Sequence, residues 1–500
     1  MKRVLIANRG EIACRIIRAC HEEGLEAVAV FSEADRLSPH VHAADVAVEI
    51  GPAPSRESYL NPDRLLDAAR VTAADAVHPG YGFLAERAAF AEAVTDAGLI
   101  FIGPTADAIR SMGEKTEARR RMEAAGVAVV PGTTGAVASV DAIRAVADDI
   151  GYPIMLKAAA GGGGKGMRRV DDPDALASAF RAAGSEAESA FGDAAVYVEK
   201  CIEHPRHVEI QVLADRHGRT LHLGERECSI QRRHQKLVEE SPSPAVSSER
   251  RLAMGQAAVQ AAQSVAYLGA GTVEFLLAPD GQFYFLEMNT RIQVEHPVTE
   301  LVYGVDLVRE QLRIAAGKPT TVDERVLRPR GHAIECRITS EDPFNGFLPA
   351  TGQIEYMRVP SGPGVRWDGG IEIGSDVGMF YDPLLGKLIV WGETRDVAIR
   401  RMRRALDELI IVGVPTAQGF HRRVMDEPAF VRGEYDIEYM TDHGQALLSR
   451  AVPDRWLDRA AVAAALAEHA SRSARLALAD DGTAPNASPW LVDARRRGLR

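Results

Sequence analysis

The sequence predicts a chain of mixed α/β and α+β class: an open, mostly parallel sheet, then a small α+β unit, then a longer antiparallel region. Three observations predict it. Apolar strand and helix patterns alternate through the first hundred residues, Pro131-Gly132 breaks that alternation, and period-two patterns dominate from about residue 204. A length of 500 residues allows about three domains with a cleft between lobes.

Val4-Leu5-Ile6-Ala7 reads as a short strand. Glu11 to Glu23 carries Ile12, Ile16, Ile17 and Cys20 at helical spacing, Gly24 ends it, and Ala27 to Phe31 is the next strand. Ala74 to His78, a helix through Ala97 and Leu99 to Gly103 repeat the unit, which completes domain 1–130. The first turn, Asn8-Arg9-Gly10-Glu11, lacks the G-x-G-x-x-G of dinucleotide sites and argues against an NAD enzyme. Domain 131–203 reads as a helix near 139–150, strand Ile154 to Ala158, a glycine run, strand Met167 to Val170, a helix near 174–190 and strand Ala195 to Glu199. Domain 204–450 is rich in antiparallel strand patterns. Residues 451–500 hold an Ala-rich helix (459–470) and a basic end, with 8 Arg against 6 acids, and read as an appended docking or partly disordered extension.

A net charge of −11 argues against a nucleic-acid partner, since no basic surplus remains for phosphates. No apolar run approaches a membrane span, and Met1-Lys2-Arg3 leads straight into a strand. Five scattered cysteines without a C-x-x-C pair read as reduced thiols of a cytoplasmic protein. The chain has 51 Arg but only 8 Lys. It uses Arg wherever a generic positive charge suffices, so a lysine inside a motif marks a place needing a compact point charge.

The run Ala160 to Met167 contains four consecutive glycines and Lys165, with Lys157 just upstream. Chained glycines let backbone N–H groups approach an anion closely. No Gly-Lys-Ser/Thr follows, so this is not a P-loop; a hairpin folding over nucleotide phosphates fits better than a flexible linker. The carboxylates are sharper. Gly271 to Leu277 and Phe283 to Asn289 are strands joined through Pro279-Asp280-Gly281. A two- or four-residue loop sets Glu274 directly opposite Glu287, with Asn289 on the same face; a three-residue bulged loop would shift the register by one. Like charges directly opposite destabilise a ladder unless a cation lies between them, which points to Mg²⁺ or Mn²⁺ accompanying ATP. A solvated pair on an exposed face is the alternative. Arg291, Gln293 and Glu295 alternate after it, and in an extended segment they project to one side: a guanidinium to hold a planar oxyanion and a carboxylate as general base. His207 to Val212 reads as a half-buried strand with one polar face, and Arg226 to Lys236 concentrates positive charge suited to a triphosphate-facing loop. Together these features point to a chain that uses ATP and a divalent metal to activate a small acid.

With these motifs in hand, the chain closely resembles biotin carboxylases, the ATP-grasp component of acetyl-CoA and related acyl-CoA carboxylases. The match runs over about residues 1–450, through Ile6-Ala-Asn-Arg-Gly-Glu-Ile-Ala13, His78 to Leu84, Met112-Gly-Glu-Lys115, the glycine run, Pro205 to Val212, Gln231 to Lys236, Asn289 to Thr299, Glu335-Cys-Arg-Ile338, Phe347-Leu-Pro349 and Gly386-Lys-Leu388. The resemblance implies an ATP-grasp fold with a Rossmann-like N-terminal domain, a small mobile lid and a mixed or antiparallel C-terminal domain. It implies that Lys115, Lys157 and the flap (Gly162, Gly163, Gly164, Lys165, Gly166) hold ATP phosphates, with Glu199, Lys200 and Ile202 by the adenine. His207, Gln231, His234 and Leu276 would also line the nucleotide site, and Glu274, Glu287 and Asn289 would bind metal. Lys236, Arg291, Gln293 and the backbone of Val294 would hold bicarbonate, Glu295 would be its base, and Arg337 would stabilise a biotin enolate. Implied partners are a biotin carboxyl carrier protein, carboxyltransferase subunits and a second copy of the chain, with Arg15, Arg18 and Glu22 at the dimer contact; the implied setting is fatty acid biosynthesis. No lysine here has Met on both sides, so biotin is expected on another polypeptide. Arg87 departs from the family pattern, which has Asn there. The alternatives are another ATP-grasp ligase joining a carboxylate to an amine, or a nucleotide-binding regulatory module without turnover.

Overall fold

The computed structural model describes residues 1–133, 135–137, 139–158, 167–323, 328–449 and 454–480. Residues 1–448 form one compact unit and 449–500 a second. At the N-terminus, strands β1 (Arg3–Ile6), β2 (Glu26–Ser32), β3 (Val46–Gly51), β4 (Ala76–His78) and β5 (Ile100–Phe101) form an all-parallel sheet in the order β3-β2-β1-β4-β5. The near-continuous apolar runs of β1 and β2 follow from burial on both faces. Val4 and Ile6 pack with Ile12 and Ile16 of helix Gly10–Glu22, while Leu5 and Val28 pack with Leu65, Ala68 and Phe90 from helices Pro62–Val71 and Ala88–Asp96.

A small three-stranded sheet comes next within the first unit: β6 (Ile154–Ala158), β7 (Arg168–Val170) and β8 (Val196–Lys200) pair antiparallel in the order β7-β6-β8. Helices Val140–Ile150 and Leu176–Phe191 back them through Ile143, Ala147, Leu176 and Ala183. The glycine flap, with Gly162, Gly163, Gly164, Lys165 and Gly166, lies outside the described residues.

An eight-stranded antiparallel sheet follows. It contains β9 (Arg206–Ala214), β10 (Thr220–Arg232), β11 (Gln235–Ser241), β12 (Gly269–Leu277), β13 (Phe283–Asn289) and β14 (His332–Thr339). Their order is β13-β12-β9-β10-β11-β14, extended by strands Leu384–Gly392 and Val365–Gly369. One face is apolar: Val208, Ile210, Val273 and Phe275 pack on Met254, Ala258 and Ala261 of helix Ser248–Ser264. Farther along, Ile334, Cys336 and Leu388 pack on Met402 and Leu406 of helix Arg395–Glu408. The opposite face carries His207, Glu209 and Gln211, as alternation requires, but it too is buried, with Glu209 and Gln211 fully enclosed. The half-buried strand expected here is therefore buried on both sides, because its polar groups satisfy one another across the sheet.

The β12–β13 hairpin reaches the expected pairing by an unexpected route. Its loop is of the shifted kind: Ala278 N donates to Gln282 O at 2.8 Å, and Phe275, Leu276 and Leu277 pair with Phe285, Tyr284 and Phe283. Leu286 then bulges out and restores the register, so Glu274 faces Glu287 and Thr272 faces Asn289. Two one-residue offsets cancel. The segment after it is not extended, however: residues 290–295 form bends and a turn that run into helix His296–Tyr303, with Pro297 in its first turn, where its missing N–H costs nothing.

In the second compact unit, helix Asp454–Asp480 is longer than the sequence pattern suggests, and residues 457–470 are exposed all round it. Among the described residues no helix is long and apolar enough to cross a membrane. All five cysteines are free and buried. Arg15 pairs within the chain, with Glu300 (3.0 Å) and Asp306, whereas Arg18 and Glu22 are exposed.

Arg87 has a visible consequence. It is the N-cap of helix Ala88–Asp96 and makes no side-chain cap bond, because a guanidinium cannot accept from the helix N–H groups. Arg87→Asn should raise the unfolding free energy by about 1 kcal/mol, measured as a shifted midpoint in urea at unchanged slope.

Candidate active site

One rung of the large sheet organises the site. Glu287 on β13 faces Glu274 on β12, Glu274 faces Glu209 on β9, and Glu209 faces Arg226 on β10. Three carboxylates thus lie side by side, with a single cation at the end. The fully buried Arg226 answers Glu209 and also donates to Gln211 Oε1 (2.7 Å), Thr272 Oγ1 (3.0 Å), Thr299 Oγ1 (3.0 Å) and Gln293 Oε1 (2.6 Å). Lys236 supplies the second cation: its Nζ reaches Glu209 Oε2 at 2.6 Å, Glu274 Oε1 at 3.0 Å and Glu295 Oε1 at 2.7 Å. Burial opposes the ammonium charge, but these three carboxylates hold its pKa well above the usual value. The lysine sits two residues past the tight hairpin Arg233-His234, whose φ values of 50° and 65° suit a two-residue loop at a cost of roughly 1 kcal/mol per residue.

Glu295 lies between two cations. Its Oε1 accepts from Lys236, and its Oε2 accepts from Arg337 Nη2 at 2.9 Å. Burial alone would raise its pKa; Lys236, Arg337 and Arg226 instead hold it well below the usual carboxylate range. Arg337 also donates to Glu239 Oε1 at 2.6 Å. Burial pushes Glu239 up to about 7 despite that guanidinium. Gln293 Nε2 donates to Glu274 Oε1 at 2.8 Å, and Arg291 is held by Glu86 (2.9 Å) and Asn289 Oδ1 (3.0 Å). The turn therefore collects Arg291, Gln293 and Glu295 in one place, although it is not the straight strand that alternation suggests.

These groups form one wall of a cleft of about 520 Å³. The remaining expected residues line it as well: Lys115, Lys157, Glu199, Lys200, Ile202, His207, Gln231, His234, Leu276, Val294, Glu287 and Asn289. Lys157 Nζ pairs with Glu199 Oε2 at 2.5 Å, and Lys200 Nζ caps the carbonyls of Gly151 (3.1 Å) and Tyr152 (3.0 Å). Lys115 enters from the first turn of helix Lys115–Ala124. Apolar side chains of Val130, Met155, Met167, Tyr197, Leu276 and Phe285 line the cleft too and suit a flat ring.

The carboxylate pair fits a hard divalent cation. Burial would raise Glu274, but Lys236 and His207 hold it well below the normal range, with His207 Nε2 at 2.8 Å from Oε2. Glu287 opens to the cleft, and desolvation together with Glu274 raises its pKa. The two carboxylates oppose each other directly across the ladder, and carboxylate oxygens are the donors Mg²⁺ takes; Glu274 already accepts from Lys236, Asn289 and Gln293 at Oε1 and pairs with His207 at Oε2, so Glu287 is the more open of the two. Asn289 is less well disposed, since its Nδ2 donates to Glu274 Oε1 (2.8 Å) and its Oδ1 accepts from Arg291.

The comparisons agree with this geometry. Residues 1–109 match the family model for the biotin carboxylase N-terminal domain, 114–322 that for the carbamoyl-phosphate synthase L chain ATP binding domain, and 335–442 that for the biotin carboxylase C-terminal domain. A biotin carboxylase of Nostoc is 55% identical over 440 residues, 88% of this chain and 98% of that protein. The chain belongs to the biotin carboxylase family. A biotin carboxylase of Haemophilus influenzae is 52% identical over 88% of this chain and 98% of its own length. Among solved structures, the biotin carboxylase domain of Hydrogenobacter thermophilus 2-oxoglutarate carboxylase, a dimer with MgADP, ADP and bicarbonate, superposes with a TM-score of 0.85 at 45% identity, covering 90% of this chain and 99% of that one. The Campylobacter jejuni biotin carboxylase–β,γ-ATP complex gives 0.85 and 45%, covering 88% and 99%. The fold is ATP-grasp, and the biotin carboxylase is an ATP-dependent ligase that takes ATP and Mg²⁺ and carboxylates biotin with bicarbonate.

Some residues that build the site were not singled out by the sequence reading: Arg226, Glu209, Glu239, Arg119 and Glu86. Arg226 and Glu209 lay inside stretches already noted; for Glu209 the available signal was its place between Val208 and Ile210, whereas Arg226 is flanked by Glu225 and Glu227 and carried no such pattern. Arg119, which pairs with Glu199 at 2.7 Å, and Glu86 come from distant segments and carried none.

Glu287→Gln separates stability from activity. It removes one member of a like-charge pair while keeping shape, so the melting temperature should hold or rise slightly. ATP turnover should fall at least about a hundredfold at any Mg²⁺ concentration, because a donor to the cation is lost. Unchanged turnover with normal Mg²⁺ dependence would remove Glu287 from the metal site.

Proposed function

We propose that this biotin carboxylase acts on biotin carried by a separate carrier protein, as the first half-reaction of an acetyl-CoA or related acyl-CoA carboxylase in the cytoplasm, and that it works as a homodimer with Arg18 and Glu22 at the contact. The single observation that carries the reading is Glu295 held between Lys236 and Arg337 beside the Glu274–Glu287 pair.

In this reading ATP lies across the cleft, its adenine against Glu199, Lys200, Ile202 and Leu276 and its phosphates toward Lys115, Lys157, His207, Gln231, His234 and the glycine flap. A Mg²⁺ held by Glu274 and Glu287 neutralises phosphate charge. Bicarbonate is bound by Lys236, Arg291, Gln293 and the Val294 N–H. Glu295 removes its remaining proton while the freed oxygen bonds to the γ-phosphorus and ADP leaves, which gives carboxyphosphate; its C–O bond then breaks to CO₂ and phosphate, the phosphate takes the N1′ proton of biotin, and the enolate so formed, facing Arg337, bonds through N1′ to the CO₂. As an anion draws Lys236 and Arg291 toward itself, Glu295 loses part of its positive surroundings and its basicity rises. The base is thereby armed by its own substrate.

Glu295→Gln keeps size and hydrogen bonding but takes no proton, so it should lower bicarbonate-dependent ATP cleavage by ~10²–10⁴-fold with nucleotide affinity near wild type. Arg337→Ala should behave differently: phosphate release survives in part while carboxybiotin collapses, since the enolate loses its charge partner. Phosphate and carboxybiotin measured side by side check both, and equal loss of the two products in Arg337→Ala would contradict the assignment.

A further inference from the structure

Lys387 is the only lysine classed as buried among the described residues, and no step above uses it. It lies on strand Leu384–Gly392, directly opposite Arg337 on one side and Asp368 on the other. Its Nζ donates to the carbonyl of Val294 at 2.7 Å and pairs with Glu11 Oε1 at 3.0 Å. Glu11 belongs to helix Gly10–Glu22 of the N-terminal lobe and also accepts from Tyr81 OH. Asp368 is occupied by Arg366 at 2.7 Å. Glu335 lies two residues before Arg337 on the same strand; both its oxygens are buried without a hydrogen-bond partner, and burial raises its pKa well above the usual value. Glu11 is therefore the one carboxylate bonded to this ammonium, and the lysine's other strong contact is a backbone carbonyl.

A buried ammonium is costly, and a chain with 51 Arg and 8 Lys has kept a lysine here. The compact head fits the geometry, since it meets one carbonyl oxygen and one carboxylate oxygen rather than a planar pair. That carbonyl belongs to the turn that carries the bicarbonate site. The preceding carbonyl, of Gln293, is taken by His296 Nδ1 at 2.8 Å. Both peptide planes on either side of Val294 are thus pinned, and with them the direction of the Val294 N–H and of the Glu295 side chain.

Building on the bicarbonate reading, we propose that Lys387 is a positioning residue. Its ammonium, tied to Glu11, locks the 293–295 turn so that the Val294 N–H and the Glu295 carboxylate face the anion. Lys387→Met keeps chain length and removes the bond to Val294. In the full-length protein it should raise the bicarbonate KM about tenfold or more and lower kcat in the bicarbonate-dependent ATPase, with the ATP KM within about twofold of wild type. The double variant Lys387→Met/Glu11→Gln removes both charges together, so no carboxylate is left buried and unpaired; it should fold and show the same bicarbonate defect. Glu11→Gln alone leaves Lys387 on the Val294 carbonyl but unties its ammonium, and should lose stability and raise the bicarbonate KM less than Lys387→Met does. Wild-type bicarbonate KM and kcat in folded Lys387→Met or in the double variant would overturn the proposal, as would failure of both to fold, which would assign Lys387 to the core alone. A wild-type protein without bicarbonate-stimulated ATP cleavage would instead overturn the function on which the proposal rests.

Discussion

Three glutamates on one rung of a sheet cannot coexist without cations, and the site follows from how this rung is neutralised. Glu287, Glu274 and Glu209 face one another in sequence across β13, β12 and β9. Arg226 closes the row from β10, and Lys236 reaches over from β11. Direct opposition of like charges destabilises a ladder, and the low dielectric of a buried face magnifies the effect. Strands that keep such a row must have both protein cations in place, which fixes the β10–β11 hairpin against β9 and β12. The row then ends at Glu287, whose oxygens face the cleft with no protein cation bonded to them among the described residues. In the proposed reading, the remaining charge is left for metal and phosphate to share.

The turn after β13 inherits its order from the same network. Gln293 bonds Arg226 and Glu274, Glu295 bonds Lys236 and Arg337, and Val294 is held through its carbonyl by Lys387. Every one of these partners sits on a sheet strand, so the turn is irregular in backbone yet fixed at each side chain. Groups that must hold a small planar anion gain most from such fixation, because misplacement by about 1 Å can cost a hundredfold in rate.

How legible this was in the sequence can be judged from particular residues. The N-terminal strands and helices followed from apolar spacing alone, since doubly buried parallel strands leave an unmistakable run. The opposition of Glu274 and Glu287 was inferred from a two- or four-residue loop; the loop holds three residues, and the bulge at Leu286 restores the pairing. That bulge was not legible, since an intermediate-exposure leucine carries no mark of being the extra residue. Arg291, Gln293 and Glu295 were singled out through alternation in an extended strand, and they do converge. They converge through a turn and the start of a helix, because Pro297 is accommodated at the first helical turn. Arg119 and Glu86 were invisible, as any group is that reaches a site from another lobe. The glycine flap, the most conspicuous motif in the sequence, falls outside the described residues.

The resting electrostatics also bear on how the proposed base selects its nucleophile. A general base works when its pKa lies near the operating pH. Glu295 sits far below it, held by Lys236 and Arg337 against the opposing effect of burial. In the proposed mechanism, a water in the cleft leaves Glu295 in these acidifying surroundings, where it is a poor base. Neutral water offers Lys236 no charge, so it has little power to displace Glu209, Glu274 and Glu295 from that ammonium. An anion can compete for the same bonds, and each bond it takes removes positive potential from Glu295. In the proposed mechanism the nucleophile that arms the base is then the one that carries a negative charge of its own, so discrimination against water follows from the charge balance of the rung.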